Sequence, residues 1–192
     1  IIYLPTEELA GFEALVRWEH PKHGMLNPGE FIPVAESSDL IVKLGSYVLT
    51  QAAGEVVRWH KELPRLENQL FVSVNVSSRQ LFRQDLIQEI RHFLGRNLVP
   101  AGALRLEVTE SLVMENPEQA IEVLEGLRTA GALLSLDDFG TGYSSLAYLQ
   151  RFPFDTIKID KDLVQSGDGG GPPRVRSSVG PAQEPGRQGA AE

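Results

Sequence analysis

Residues 104–138 read LRLEVTESLVMENPEQAIEVLEGLRTAGALLSLDD, and they set the pattern for the chain. Leu104 to Val108 reads as a strand. Pro117 to Leu127 reads as a helix with its proline in the first turn, where a missing N–H costs little. Leu133 to Leu136 reads as a second strand, closed by Asp137 and Asp138. Moving outward, the valine-rich run Leu70 to Val76 and the run Phe12 to Val16 read as strands, as does Thr156 to Ile159. Between them, Ile41 to Trp59 has helical spacing through Ile41, Val48, Ala52, Val56 and Trp59. Arg79 to Leu94 has it through Leu86, Ile90 and Leu94, and Ser144 to Gln150 reads as a short helix. Strands alternating with helices predict an α/β fold with a mainly parallel sheet, either an open doubly wound sheet or a (β/α) barrel.

Composition narrows the function. The chain has 192 residues, 42% of them apolar and 23% charged, enough for one globular domain with a core. A net charge of −8 argues against a nucleic-acid polymer or a membrane surface as partner. The absence of cysteine excludes disulfides, zinc–cysteine sites, iron–sulfur clusters and thiol catalysis, and fits a reducing compartment. No charged leader followed by an apolar run is visible, the start at Ile1 reads as the interior of a longer protein, and no apolar run approaches the roughly 18 residues needed to span a bilayer. From Gly167 to Glu192 glycine and proline dominate and aromatics are missing, so residues 167–192 are expected to form a flexible tail.

The acids fall where the strands end. Glu13 lies in the first strand, Asn75 near the end of Leu70 to Val76, and Glu107 in the strand before Glu110. Asp137 and Asp138 close the next strand, and Lys158 and Asp160 the one after. Parallel strands bring their C-terminal ends to one face, which carries the active site in barrels and open sheets alike. Carboxylates meeting there repel unless a cation joins them, and oxygen donors suit Mg²⁺, Mn²⁺ or Ca²⁺. Adjacent aspartates can serve two ions about 4 Å apart, as in phosphoryl chemistry. Taken singly, Glu13 reads more readily as an exposed edge residue and Lys158 as a solvated one; recurrence on five strands favours a site. His20 and His23 read as loop residues, and Gly140-Thr141-Gly142 as a tight turn.

These residues resemble those of a known family, the bacterial EAL domain. Glu13-Ala14-Leu15 with Arg17-Trp18 is similar to its opening motif. The likeness continues through Phe31-Ile32-Pro33-Val34-Ala35-Glu36, Asn75-Val76-Ser77 and Glu107-Val108-Thr109-Glu110-Ser111. It ends with Asp137-Asp138-Phe139-Gly140-Thr141-Gly142-Tyr143 and Lys158-Ile159-Asp160, and covers Gly11 to Val164. The resemblance implies a TIM-like (β/α) barrel with one antiparallel strand, and hydrolysis of cyclic di-GMP to linear pGpG with Mg²⁺ or Mn²⁺. It implies Glu13, Asn75, Glu107, Asp137, Asp138 and Asp160 as metal ligands, with Lys158, Glu107 and Asp137 in catalysis. Arg17 becomes a substrate-phosphate contact, and Glu110 the residue holding the loop after the Asp-Asp pair. The implied setting is a cytoplasmic domain that can form a homodimer, adjoins sensor or GGDEF domains and does not itself insert into a membrane.

Leu4 stands where the family has glutamine, Pro181 and Pro185 interrupt a family helix, and Gly189 to Glu192 stand where a valine-rich strand is usual. Such barrels usually need about 250 residues. The expected organisation is therefore a partial EAL-like barrel over residues 1–166, incomplete at its C-terminal end. An alternative function is an inactive domain that binds cyclic di-GMP or a protein partner.

Overall fold

The computed structural model describes residues 1–3, 7–63, 70–95, 99–139, 151–159 and 188–191. The N-terminal hairpin pairs β1 (Ile2–Tyr3) with β2 (Glu8–Leu9), and a second hairpin pairs β4 (Trp18–His20) with β5 (Gly24–Leu26), both antiparallel. The remaining strands form one six-stranded sheet: β3 (Gly11–Ala14), β6 (Phe71–Asn75), β7 (Leu104–Thr109), β8 (Leu133–Phe139), β9 (Thr156–Ile159) and β10 (Gln188–Ala191). Its neighbours follow chain order without reversal and all five pairings are parallel. A doubly wound sheet reverses order at a switch point. A single direction of winding is that of a barrel wall, here open between β3 and β10.

The helices are α1 (Pro28–Glu36), α2 (Leu40–Glu62), α3 (Ser78–Leu81), α4 (Leu86–Gly95), α5 (Glu110–Glu115) and α6 (Pro117–Thr129). The single helix expected over Arg79 to Leu94 is two. Arg83 pairs with the Asp85 side chain, and the Asp85 carbonyl accepts the Glu89 N–H at 2.9 Å to open a new helix. Apolar spacing could not reveal the break, because Leu81 and Leu86 both face the core on either side of it. Neither α1 nor α5 was expected. Glu30 Oε2 accepts the Asn27 N–H at 2.8 Å ahead of α1, a local cap that hydrophobic periodicity does not register.

The sheet has two unlike faces. Val72, Val74, Leu104, Leu106, Val108, Leu134, Leu136 and Ile157 point into the core, against Leu49, Val56, Ile90, Leu124 and Leu127 of the helices. The alternate positions Ser73, Glu107, Ser135, Thr156 and Lys158 are polar and equally buried. That second face is the inside of the curl. α2 has the length and mean hydropathy of a bilayer-crossing helix, which the sequence reading did not anticipate. It buries Ile41, Gly45, Leu49, Ala52, Ala53 and Val56 and packs on β6, as a core helix does.

Within the segment expected to be a flexible tail, Gln188–Ala191 forms β10, in parallel register with β9. The short helix expected over Ser144 to Gln150, the turn from Gly140, Asp160 and the rest of residues 160–187 lie outside the described residues.

Candidate active site

Lys158 organises the site. Its Nζ lies 3.2 Å from Glu107 Oε2, and 3.5 Å from both Glu13 Oε2 and Asp137 Oδ1. Asn75 Nδ2 donates to Glu13 Oε1 at 2.7 Å. Strand register explains the meeting. Asn75 lies opposite Glu107, and Thr109 opposite Asp137, so successive parallel strands deliver these residues near one edge. Lys158 is buried on the polar face, not solvated as a lysine on an alternating strand usually is.

Three carboxylates therefore face one ammonium group. Glu107 is almost fully buried, and burial pushes its carboxyl above the usual carboxylate range. Lys158 opposes that rise, Glu13 adds to it, and a hydrogen bond from Ser73 stabilises the ionised form. Ser73 was missed by sequence reading; its signal is the two-residue strand period that puts it on the face of Asn75.

Asp137 and Asp138 do not act as a matched pair. Between Leu136 and Phe139, β8 spends one residue more than β9, a bulge that leaves Asp138 in the left-handed region at φ 54°. Aspartate tolerates that conformation better than most residues. Asp137 turns toward Lys158 and its Oδ1 also accepts the Asp138 N–H at 2.9 Å, while Asp138 is exposed at the rim.

The other expected site residues are spread. Arg17 is exposed, its Nη1 donating to its neighbour's Val16 carbonyl at 2.9 Å. Glu110 is buried at the first position of α5, directly after β7. His20 and His23 belong to the β4–β5 hairpin: His20 Nδ1 accepts the N–H groups of Lys22 and His23, which is the work of a turn cap.

Among the described residues, no three acid or imidazole groups gather at metal-coordinating spacing. The donor set nevertheless fits a hard divalent cation. Glu13, Glu107, Asp137 and Asn75 offer oxygen, and three negative charges against one positive leave a deficit that one divalent ion would cancel. Beside the cluster lies a cavity of about 620 Å³, lined by Asn75, Glu107, Leu15, Ile32 and Arg79 among others.

Comparison with known proteins identifies relatives of the whole chain. The bifunctional diguanylate cyclase/cyclic di-GMP phosphodiesterase MucR of Pseudomonas aeruginosa is 40% identical over 163 residues, covering 85% of this chain and 23% of that protein. The cyclic di-GMP phosphodiesterase NbdA of the same organism is 43% identical over 164 residues, covering 85% of this chain and 21% of that protein. A solved structure described as PaMucR phosphodiesterase in complex with c-di-GMP superposes with TM-score 0.82 at 35% identity, over 93% of this chain and 72% of that one. The chain spans 19% to 27% of the length of the curated relatives it matches. With the EAL domain profile matching residues 1–192, and a barrel wall carrying its acids on successive strand ends, the chain belongs to the EAL domain family.

Proposed function

We propose that this chain is a metal-dependent phosphodiesterase domain that hydrolyses cyclic di-GMP to linear pGpG in bacterial second-messenger signalling. The observation that carries the reading is Lys158 Nζ set among Glu13, Glu107 and Asp137 at 3.2–3.5 Å. The relatives named as phosphodiesterases support it.

Glu13, Asn75, Glu107 and Asp137 would hold Mg²⁺ or Mn²⁺, with Asp138 and Asp160 toward a second ion. A bound divalent ion lowers the pKa of water and offsets charge on phosphoryl oxygens. The protein's own groups do the rest. Lys158, buried and three-fold paired, orients the attacking water and shields charge that grows on the phosphate. Glu107 and Asp137 fix that ammonium from two strands. Arg17 would contact a substrate phosphate, and Glu110 would anchor the segment following Asp138. Water adds across one P–O bond: its oxygen joins phosphorus, and the leaving ribose oxygen takes up a proton. Cyclic di-GMP is the expected ligand and a second copy of the chain a partner. The reading sets the domain in the cytoplasm, beside sensor or GGDEF domains.

The test is incubation of the purified chain with cyclic di-GMP and Mg²⁺ or Mn²⁺, following pGpG by chromatography. Turnover should fall about 10²–10³-fold in Asp137→Ala, the size expected for losing one preorganised electrostatic group. A folded wild-type chain that makes no pGpG would overturn the reading.

A further inference from the structure

We propose that Arg79 is a phosphate-binding residue of the cavity beside the carboxylate cluster, and that it takes the phosphodiester that is not being cleaved. This rests on the phosphodiesterase reading above and adds a residue to its substrate site.

The argument begins with charge. A cyclic dinucleotide carries two phosphodiesters, and one of them must lie at the cluster to react. The cavity of about 620 Å³ suits such a ligand, since small-molecule sites run roughly 300–1,000 Å³. Its walls include the carboxylates Glu36, Glu107 and Glu115, which repel a second phosphate. Among the described residues lining it, Arg79 supplies the positive charge.

Its placement fits the role. Arg79 follows Asn75 by four residues, on α3 directly after β6, so one connection carries a cluster residue and this guanidinium. The connection is firmly held. Gln80 Oε1 accepts from Ser77 N and Oγ at 3.2 and 2.9 Å. The Gln80 amide lies so close over Gly45 of α2 that a Cβ there would fall 1.6 Å from Nε2. The guanidinium is less firmly engaged. Its partner Asp39 stands 3.7 Å away with a side chain 96% exposed, a water-screened pair that a phosphate can displace. A guanidinium meets phosphate through two parallel hydrogen bonds, which a screened carboxylate at that distance does not offer. Arg79 also borders a neighbouring cavity of about 410 Å³ with Lys43 and Arg83. Three cations there face one lining carboxylate, Asp39, and although Arg83 is paired with Asp85, this rim is left more positive than the rest of a chain of net charge −8.

The test is equilibrium binding of fluorescently labelled cyclic di-GMP, in Mg²⁺, to the 192-residue chain carrying Asp137→Ala to suppress turnover. Adding Arg79→Gln should weaken binding about 10- to 100-fold, the worth of a charge-assisted contact. Arg79→Lys should recover part of the loss, and Arg91→Gln, which removes an exposed charge from α4, should change little. Guanosine, which has no phosphate, should bind Arg79→Gln as it binds the parent. Unchanged affinity in Arg79→Gln, or an equal loss in Arg91→Gln or for guanosine, overturns the assignment and leaves the phosphodiesterase reading standing. If neither the parent nor the wild-type chain binds cyclic di-GMP, both fall together.

Discussion

The two ends of the central sheet carry charge in opposite ways. At the C-terminal ends of the strands, Glu13, Glu107 and Asp137 share one ammonium, that of Lys158. At the N-terminal ends the groups are matched. Asp155 Oδ2 accepts the Leu134 N–H at 2.9 Å, and its Oδ1 lies 3.6 Å from Arg128. Arg105 lays its guanidinium 3.6 Å from the centre of the Phe71 ring and donates to Thr156 Oγ1 at 3.2 Å. Burial depresses the Arg105 pKa, and Asp155 and Glu107 oppose that shift. The floor is thus a network in which each charge meets an opposite charge, an aromatic face or a hydroxyl. The mouth holds surplus negative charge. One end serves stability and the other keeps an electrostatic deficit for a ligand, a division familiar from barrels.

The sharpest way to break this contrast is Lys158→Met. It leaves three carboxylates around an apolar chain in a buried place, and should cost about 3–5 kcal/mol of folding stability, read by urea denaturation. Mn²⁺ should raise the melting temperature of this variant more than that of the wild type. No rise in either would mean the mouth has no charge deficit for a cation to fill. At the floor, Arg105→Met removes a stacked guanidinium and its hydrogen bond. A loss of about 1–3 kcal/mol is expected, with cyclic di-GMP affinity little altered. A variant with normal stability and poor binding would assign Arg105 to the mouth instead. The smallest effect belongs to the surface. Arg151 grips Glu118 with two hydrogen bonds of 2.9 and 2.8 Å, yet both side chains are more than half exposed. Glu118→Ala should cost less than about 1 kcal/mol, which a thermal melt can bound.

Much of the mouth was legible in the sequence, because the strands leave a simple trace: a polar side chain within or closing an apolar run. Glu13, Asn75, Glu107 and Asp137 all carry that trace, and all come to Lys158 or to a residue that touches it. Direction was harder to read. Taken singly in the sequence, Lys158 reads more readily as solvated than as catalytic, since only the register of β9 against β8 aims it inward. The floor left no trace. Arg105 sits between two leucines like any solvent-facing residue of an alternating strand, and only curling of the sheet reveals Phe71 and Thr156 as its partners. The winding direction, which separates a barrel from a doubly wound sheet, lies in the spatial order of strands and not in any one segment.

The bulge in β8 has a consequence for how two adjacent aspartates can exist in a strand at all. Strict alternation would send Asp137 to the polar face and Asp138 into the layer between sheet and helices, where a lone carboxylate could not remain ionised. The supernumerary residue resets the phase: Phe139, not Asp138, lies opposite Ile159 and fills the apolar layer. A deletion of Asp138 would therefore remove the bulge together with one rim acid. Phe139 would then follow Asp137 in plain alternation, still opposite Ile159 and still in the apolar layer, so the extra residue is what lets this strand carry a second acid without burying it.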